Sequence, residues 1–262
     1  ATNLEFLYNN NIEIISIVSA PDKEKGRGKK IIPTDVKLKG SELGIDVLSP
    51  ESLKDKVFLE KLKSYNADLF VVVAFRMLPK EIWSMPKMGT INLHTSLLPN
   101  YRGAAPINRV LINGEDKTGI TTFNIDEKID CGKILIQEEI KLTQNTTAAE
   151  LHNILMNKGS TLLLKTINSL QEKNLSPILQ DESLSKMGAP KLTKELTKID
   201  WNKSAREIHN LIRGLSPVLS ENKLLKDVSI CPSAWFLFHT SEVKDIRTKL
   251  LLSKYSSKTN NR

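Results

Sequence analysis

Cysteine is scarce in this chain. Only Cys131 and Cys231 occur in 262 residues, and two thiols far apart in sequence cannot build a disulfide framework, so a reducing, cytoplasmic setting is the expectation. Histidine is nearly as sparse. His94, His152, His209 and His239 lie without the spacing of zinc ligands, and no metal is expected. No run approaches the ~18 apolar residues that a membrane span requires. Polar residues are interspersed through residues 1–10, which carry no basic segment, and this argues against a signal peptide. These scarcities set aside secreted disulfide scaffolds, zinc modules and membrane-spanning proteins.

What the sequence does hold is the balance of a soluble globular protein, with 40% hydrophobic and 26% charged residues. Its length suits one large domain, or a main domain with a small appendage. The formal charge of +8 fits a polyanionic partner such as nucleic acid and fits a lysine-rich solvated surface equally well. Basic residues gather at 23–30 and again at 244–262.

The first two-thirds alternates strand-like and helix-like segments, which predicts an α/β fold with a largely parallel sheet covered by helices. Residues 12–18 are a β-branched run and 69–74 an apolar one, the second read as a central strand buried on both faces. Residues 91–94, 120–125 and 134–136 are shorter strand candidates, while 51–64 and 103–113 read as helices. Thr147 and Glu150 have the spacing of a capping box. They open a longer helix predicted to run towards Leu170, and Gly159 stands where it would interrupt the pattern. Residues 183–190 have the composition of a linker. Ser204 and Glu207 form a second box, opening a helix that Gly214 is placed to end. Residues 234–238 and 247–252 are weaker strand candidates, and the tail 256–262 is expected to be disordered.

Two segments carry chemistry. The first, residues 90–103, reads TINLHTSLLPNYRG. On its strand, Asn92 and His94 lie two apart and project to the same side. They fall at the carboxyl end of a parallel strand, where open α/β sheets bind ligands. Ser96, Leu97, Leu98 and Pro99 come next as a turn whose backbone can line a pocket. Taken alone, an Asn-x-His pair is more often structural than catalytic. The second segment, residues 123–133, reads FNIDEKIDCGK and adds two carboxylates. Asp126 is read as a turn-forming aspartate. Asp130 precedes a Cys-Gly turn, and a carboxylate on such a constrained loop can fix the tautomer of a histidine.

Together these segments resemble the signature of the formyltetrahydrofolate-dependent formyltransferases: Asn-x-His, then Ser-Leu-Leu-Pro, then Arg-Gly-Ala-Ala-Pro-Ile. In that family an Asn, a His and an Asp 36 residues beyond the His form the catalytic set. Asn92, His94 and Asp130 match it in type and spacing, since 94 + 36 = 130. The family's Leu-Asp-Thr-Gly-Asp reads Ile129-Asp130-Cys131-Gly132-Lys133 here. The resemblance implies a Rossmann-like parallel-sheet domain, 10-formyltetrahydrofolate as formyl donor, an amine as acceptor, and no metal. It gives Asn92 and His94 as donors to a developing oxyanion and Asp130 as the group that holds His94 and helps remove the amine proton. Ser96, Leu97, Leu98 and Pro99 become the turn that contacts folate.

Residues 21–30, PDKEKGRGKK, resemble the loop by which the tRNA-acting members engage the acceptor arm. This implies Arg27, Lys29 and Lys30 as phosphate contacts and methionyl initiator tRNA as partner. Residues 189–217 resemble the linker and the start of the second domain of the same enzymes. The implied organisation is a catalytic domain over 1–185, a linker over 186–203 and a partial OB-like tRNA-binding domain over 204–262, in a monomer. Family members open with a strand before the helix that residues 1–10 match, so the first central strand has no counterpart and the catalytic domain is expected to be N-terminally incomplete. Residues 218–230 look inserted, and the segment beyond them is too short for a five-stranded barrel, so the OB-like domain is expected to be truncated. Two alternatives stay open. One is a folate-dependent formyltransferase acting on a sugar amine or glycinamide ribonucleotide; the other is a non-catalytic remnant binding RNA through Arg27 and the basic tail.

Overall fold

The computed structural model describes residues 1–25, 30–219, 223–225, 230–240 and 245–256. They divide between two compact units, each assembled from separated stretches of chain: 1–94, 122–136 and 156–179 in one, and 95–121, 137–155 and 180–262 in the other.

In the first unit, helix α1 (Thr2–Asn9) precedes strand β1 (Ser16–Val18). A hairpin comes after it, β2 (Lys23–Lys25) antiparallel to β3 (Lys30–Ile32), at a place where the sequence indicates only a loop. Helix α2 (Asp35–Glu42) is capped by Thr34, whose hydroxyl accepts the Lys37 N–H at 3.2 Å. It leads to β4 (Asp46–Leu48), which pairs in parallel with β1. The predicted strand over 12–18 is confined to its last three residues, because β4 offers only three partners. Helix α3 (Lys56–Ser64) starts where Asp55 accepts the Phe58 N–H at 2.8 Å. Strand β5 (Phe70–Val73), helix α4 (Lys80–Trp83) and strand β6 (Thr90–His94) come next. Strands β5 and β6 run in parallel register, from Phe70 opposite Thr90 to Val73 opposite Leu93. Leu53, Phe58, Leu62 and Ile82 are buried together, with Val18, Leu48 and Phe70 packed against them. The reading of 69–74 as buried on both faces is corrected here. Val71 and Val73 are each 37% exposed, because β5 is an end strand of its sheet and one of its faces is left partly open.

That sheet has the order β5-β6-β7-β8, completed by β7 (Lys117–Asn124) and β8 (Ile134–Lys141). Both strands are longer than their predicted segments. Helix α6 (Ala148–Gln171) runs without a break. Gly159 does not interrupt it: a Cβ there would stand 2.6 Å from Leu93 Cδ2, so the glycine marks a close approach of this helix to β6.

In the second unit, Thr147 and Glu150 satisfy each other's backbone N–H groups at 3.1 and 2.9 Å, forming the expected box. Helix α5 (Pro106–Ile112) has proline in its first turn, where no donor is needed. Helix α7 (Ala205–Gly214) opens with the Ser204–Glu207 box. Gly214 does not terminate α7 through a left-handed turn, as expected. It is the last helical residue, and an added Cβ would meet Ile112 Cγ1 at 2.7 Å and the Asn108 carbonyl oxygen at 3.2 Å. Strands β9 (Ala234–Phe238) and β10 (Ile246–Leu250) form an antiparallel pair. Trp235 Nε1 donates to Thr197 Oγ1 at 3.0 Å. The last six residues of the predicted disordered tail lie outside the described residues. Among the described residues no helix is long and apolar enough to cross a membrane.

Gly214 gives a test of this packing. Alanine near the end of a helix normally stabilises it, but Gly214→Ala is expected to cost about 1–3 kcal/mol, as overpacking does. Ser204→Ala should cost about 1 kcal/mol through loss of the cap. Urea unfolding of the two variants measures both.

Candidate active site

The site begins on β6, whose burial leaves Asn92 and His94 on one side of the strand. Thr90 anchors the strand's start: its hydroxyl donates to the Trp83 carbonyl at 2.8 Å, and its own carbonyl accepts the Ile125 N–H at 2.8 Å. The His94 side chain is 8% exposed, and its Nδ1 lies 3.8 Å from Oδ2 of Asp130, which is 14% exposed. Phe123, 2% exposed, stands edge-on to the imidazole at 6.4 Å between ring centroids and 86° between planes. It fixes the plane of the ring, and nothing in the sequence singles it out from other core aromatics.

Asp130 reaches His94 because of how the loop after β7 returns. The Asn124 N–H donates to the Lys133 carbonyl at 2.9 Å. Between them the chain doubles back so closely that any Cβ on Gly132 would collide with the Asn124 carbonyl oxygen. Asp130 itself takes a left-handed conformation, φ 54°, which aspartate tolerates better than most residues. Asp126 has the turn role read from the sequence, its Oδ1 accepting the Lys128 N–H at 2.9 Å. Glu127 of the same loop pairs with Lys80 at 2.6 Å, an exposed contact that contributes little stability.

Asn92 carries an oddity. Its Oδ1 is buried and has no hydrogen-bond partner. Leaving a buried polar atom unpaired costs about 1–3 kcal/mol, so structures tend to keep such atoms where a ligand completes the bond.

The turn of Ser96, Leu97, Leu98 and Pro99 belongs to the second unit. Ser96 and Leu98 are buried, and the Leu98–Pro99 peptide is cis. Thr121 holds the turn: its hydroxyl donates to the Ser96 carbonyl at 2.6 Å and accepts the Leu98 N–H at 3.3 Å. Gln137 Nε2 donates to the Leu98 carbonyl and to Thr121 Oγ1, each at 2.9 Å. Neither Thr121 nor Gln137 is visible in the sequence as a supporting residue, because the partners meet only when β7 and β8 form. Further on, the buried Tyr101 phenol donates to Glu115 at 2.5 Å, and burial pushes its pKa above the ordinary tyrosine value. Arg102 forks onto Gln180 and Glu182, at 2.7 and 2.8 Å from its Nη2.

Arg27 and Lys29 lie outside the described residues, as does the side chain of Lys30. Among the described residues no group of three or more His, Cys, Asp or Glu side chains is placed to hold a metal ion.

Comparison with known proteins agrees with this picture. The chain matches the formyl transferase family over residues 3–167 and the formyl transferase C-terminal domain over residues 191–259. It is 49% identical over 224 residues to the methionyl-tRNA formyltransferase of Flavobacterium johnsoniae, covering 86% of this chain and 71% of that one. The methionyl-tRNA formyltransferase of Clostridioides difficile is 44% identical over 252 residues, 96% of this chain and 81% of that one. Among solved structures, a sugar N-formyltransferase from Shewanella superposes with a TM-score of 0.66 at 18% identity, covering 98% of this chain and 94% of that one; at that identity the likeness concerns the fold. A parallel-sheet α/β unit with a signature histidine beside an aspartate, and two family matches that together span most of the sequence, lead to one conclusion: the chain belongs to the formyl transferase family.

Proposed function

We propose that this chain transfers the formyl group of 10-formyltetrahydrofolate to the amino group of methionyl initiator tRNA. Its similarity to methionyl-tRNA formyltransferases over most of its length supports the acceptor. What carries the chemistry is the 3.8 Å approach of His94 Nδ1 to Asp130 Oδ2, on a strand whose Asn92 keeps an unpaired buried amide oxygen. The unpaired oxygen of Asn92 accepts and so fits a donor such as the N–H of an attacking amine, while the NH2 of the same amide is the group that can donate to a substrate carbonyl.

In this reading the Asn92 amide turns its N–H towards the formyl oxygen. Protonated His94 donates a second hydrogen bond as negative charge develops there. Asp130 orients the imidazole and, directly or through one water, takes the proton that the attacking amine loses as its nitrogen bonds to the formyl carbon. The bond from that carbon to N10 breaks, and N10 takes up a proton. Ser96, Leu97, Leu98 and Pro99, next after β6 along the chain, would hold the pterin through backbone groups. Arg27, Lys29 and Lys30 would neutralise acceptor-arm phosphates. Residues 1–185 would supply catalysis and 204–262 an OB-like contribution to tRNA binding, in a cytoplasmic monomer that uses no metal.

Formylation of charged initiator tRNA by the purified chain, with 10-formyltetrahydrofolate as donor, is the direct assay. Asn92→Ala is expected to lower kcat by about 10²–10³-fold with KM for tRNA little changed, as loss of an oxyanion donor does. His94→Ala and Asp130→Asn should fall at least as far, and the effects should not multiply when combined, because the three act as a unit. Formylation of a sugar amine or of glycinamide ribonucleotide, with none on the tRNA, would move the acceptor assignment. Tight tRNA binding without turnover would mark the chain as a non-catalytic RNA-binding protein.

Arg27→Ala has a separate signature. It should raise KM for tRNA about uniformly across acceptor sequences and reduce the salt dependence of binding by about one unit of log–log slope, while kcat at saturation changes little.

A further inference from the structure

Arg213 departs from the ordinary rules of burial. It sits on α7 with 4% of its surface exposed, and arginine is almost never buried so deeply without a carboxylate. Its Nε donates to Asn210 Oδ1 at 2.8 Å, and its Nη1 to the Thr143 and Thr146 carbonyls at 3.2 and 3.4 Å. All three acceptors are neutral. The ionisable groups that it feels are Tyr255 and another cation, Arg206, and burial lowers its pKa from the usual arginine value. No carboxylate among the described residues pairs with it.

The remaining nitrogen, Nη2, has no acceptor among the described residues. Arg213 lines a cavity of about 370 Å³, together with Asn145, His209, Leu252, Ser253 and Lys254. His209 is a wall of it and not a donor to it. Its Nε2 donates to the Gln144 carbonyl at 2.9 Å, and its Nδ1 faces Ser253 Oγ at 2.9 Å. Lys254 is exposed at the rim. The cavity thus combines two cations and the amide of Asn145, and among the described residues none that lines it is acidic.

We propose that this cavity is a binding site for a phosphate-class oxyanion, held by Nη2 of Arg213 and the ammonium of Lys254. With the Nε and Nη1 donors taken by Asn210, Thr143 and Thr146, the two N–H groups of Nη2 are the ones left to donate to oxygens of a tetrahedral anion. Binding would neutralise a desolvated cation that nothing else in the described structure neutralises. The site involves none of Asn92, His94 and Asp130, and the proposal does not rest on formyl transfer. Inorganic phosphate and an RNA phosphodiester offer the same chemistry, so the test separates them.

The 262-residue chain is titrated with inorganic phosphate at constant ionic strength, chloride making up the balance, by calorimetry and thermal melting. The expected result is saturable binding and a Tm that rises with phosphate but not with chloride. Lys254→Ala should weaken binding about 10-fold or more, and Arg213→Gln should abolish it, as expected for charge-assisted hydrogen bonds. Lys254 is exposed, so its variant keeps the test decisive if Arg213→Gln does not fold. A short RNA hairpin that displaces the phosphate assigns the site to a phosphodiester; a hairpin that leaves phosphate bound assigns it to the free anion. Absence of saturable phosphate binding, or equal affinity in Lys254→Ala, overturns the proposal.

Discussion

Between Asn124 and Gly132 the backbone folds back so tightly that no side-chain atom fits between them. Most of the candidate active site depends on that return. The bond from the Asn124 N–H to the Lys133 carbonyl closes the loop at its base. With the base closed and position 130 in a left-handed conformation, the carboxylate is carried inward to His94 and not out to water. The other half of the pair is set by β6, a strand buried along most of its length. Gly159 lets α6 lie against that strand more closely than any side chain would allow. Two glycines therefore do for position what the histidine and aspartate do for chemistry.

The parts of this structure that can be read from the sequence are those fixed by local rules. Capping boxes at Thr147 and Ser204 need only residues three apart, and both are present. Asn92, His94 and Asp130 can be picked out because their types and spacing carry a family signature. Features that depend on a distant partner are not legible. The length of β1 is set by β4, thirty residues away. The exposure of Val71 and Val73 comes from the place of β5 in its sheet. Gly214 looks like a helix stop, since only the docking of α5 reveals that it is a contact point. Arg213 is equally inconspicuous, because an arginine four residues after His209 on a helix reads as part of a polar face until the cavity beside it is seen.

Fold and acceptor are separate questions here. A sugar N-formyltransferase shares the architecture over 98% of this chain at 18% identity, so the sheet and its covering helices are compatible with more than one amine. In this chain the scaffold brings an amide and an imidazole to one strand end and a carboxylate to the imidazole. Discrimination among acceptors has to come from segments outside that arrangement. Basic residues gather at 23–30 in the sequence, outside Asn92, His94 and Asp130.

The interleaving of the two compact units has a consequence for biogenesis. Neither unit is a continuous piece of polypeptide: the stretch that begins the first is completed only by residues 156–179, and the second begins at residue 95. A nascent chain cannot finish the earlier unit until a good part of the later one has been synthesised. Closure of such long loops is entropically costly and slows folding. During translation, then, the strand bearing His94 waits for the helix that covers it, and its apolar surface is a natural client for chaperones over that interval.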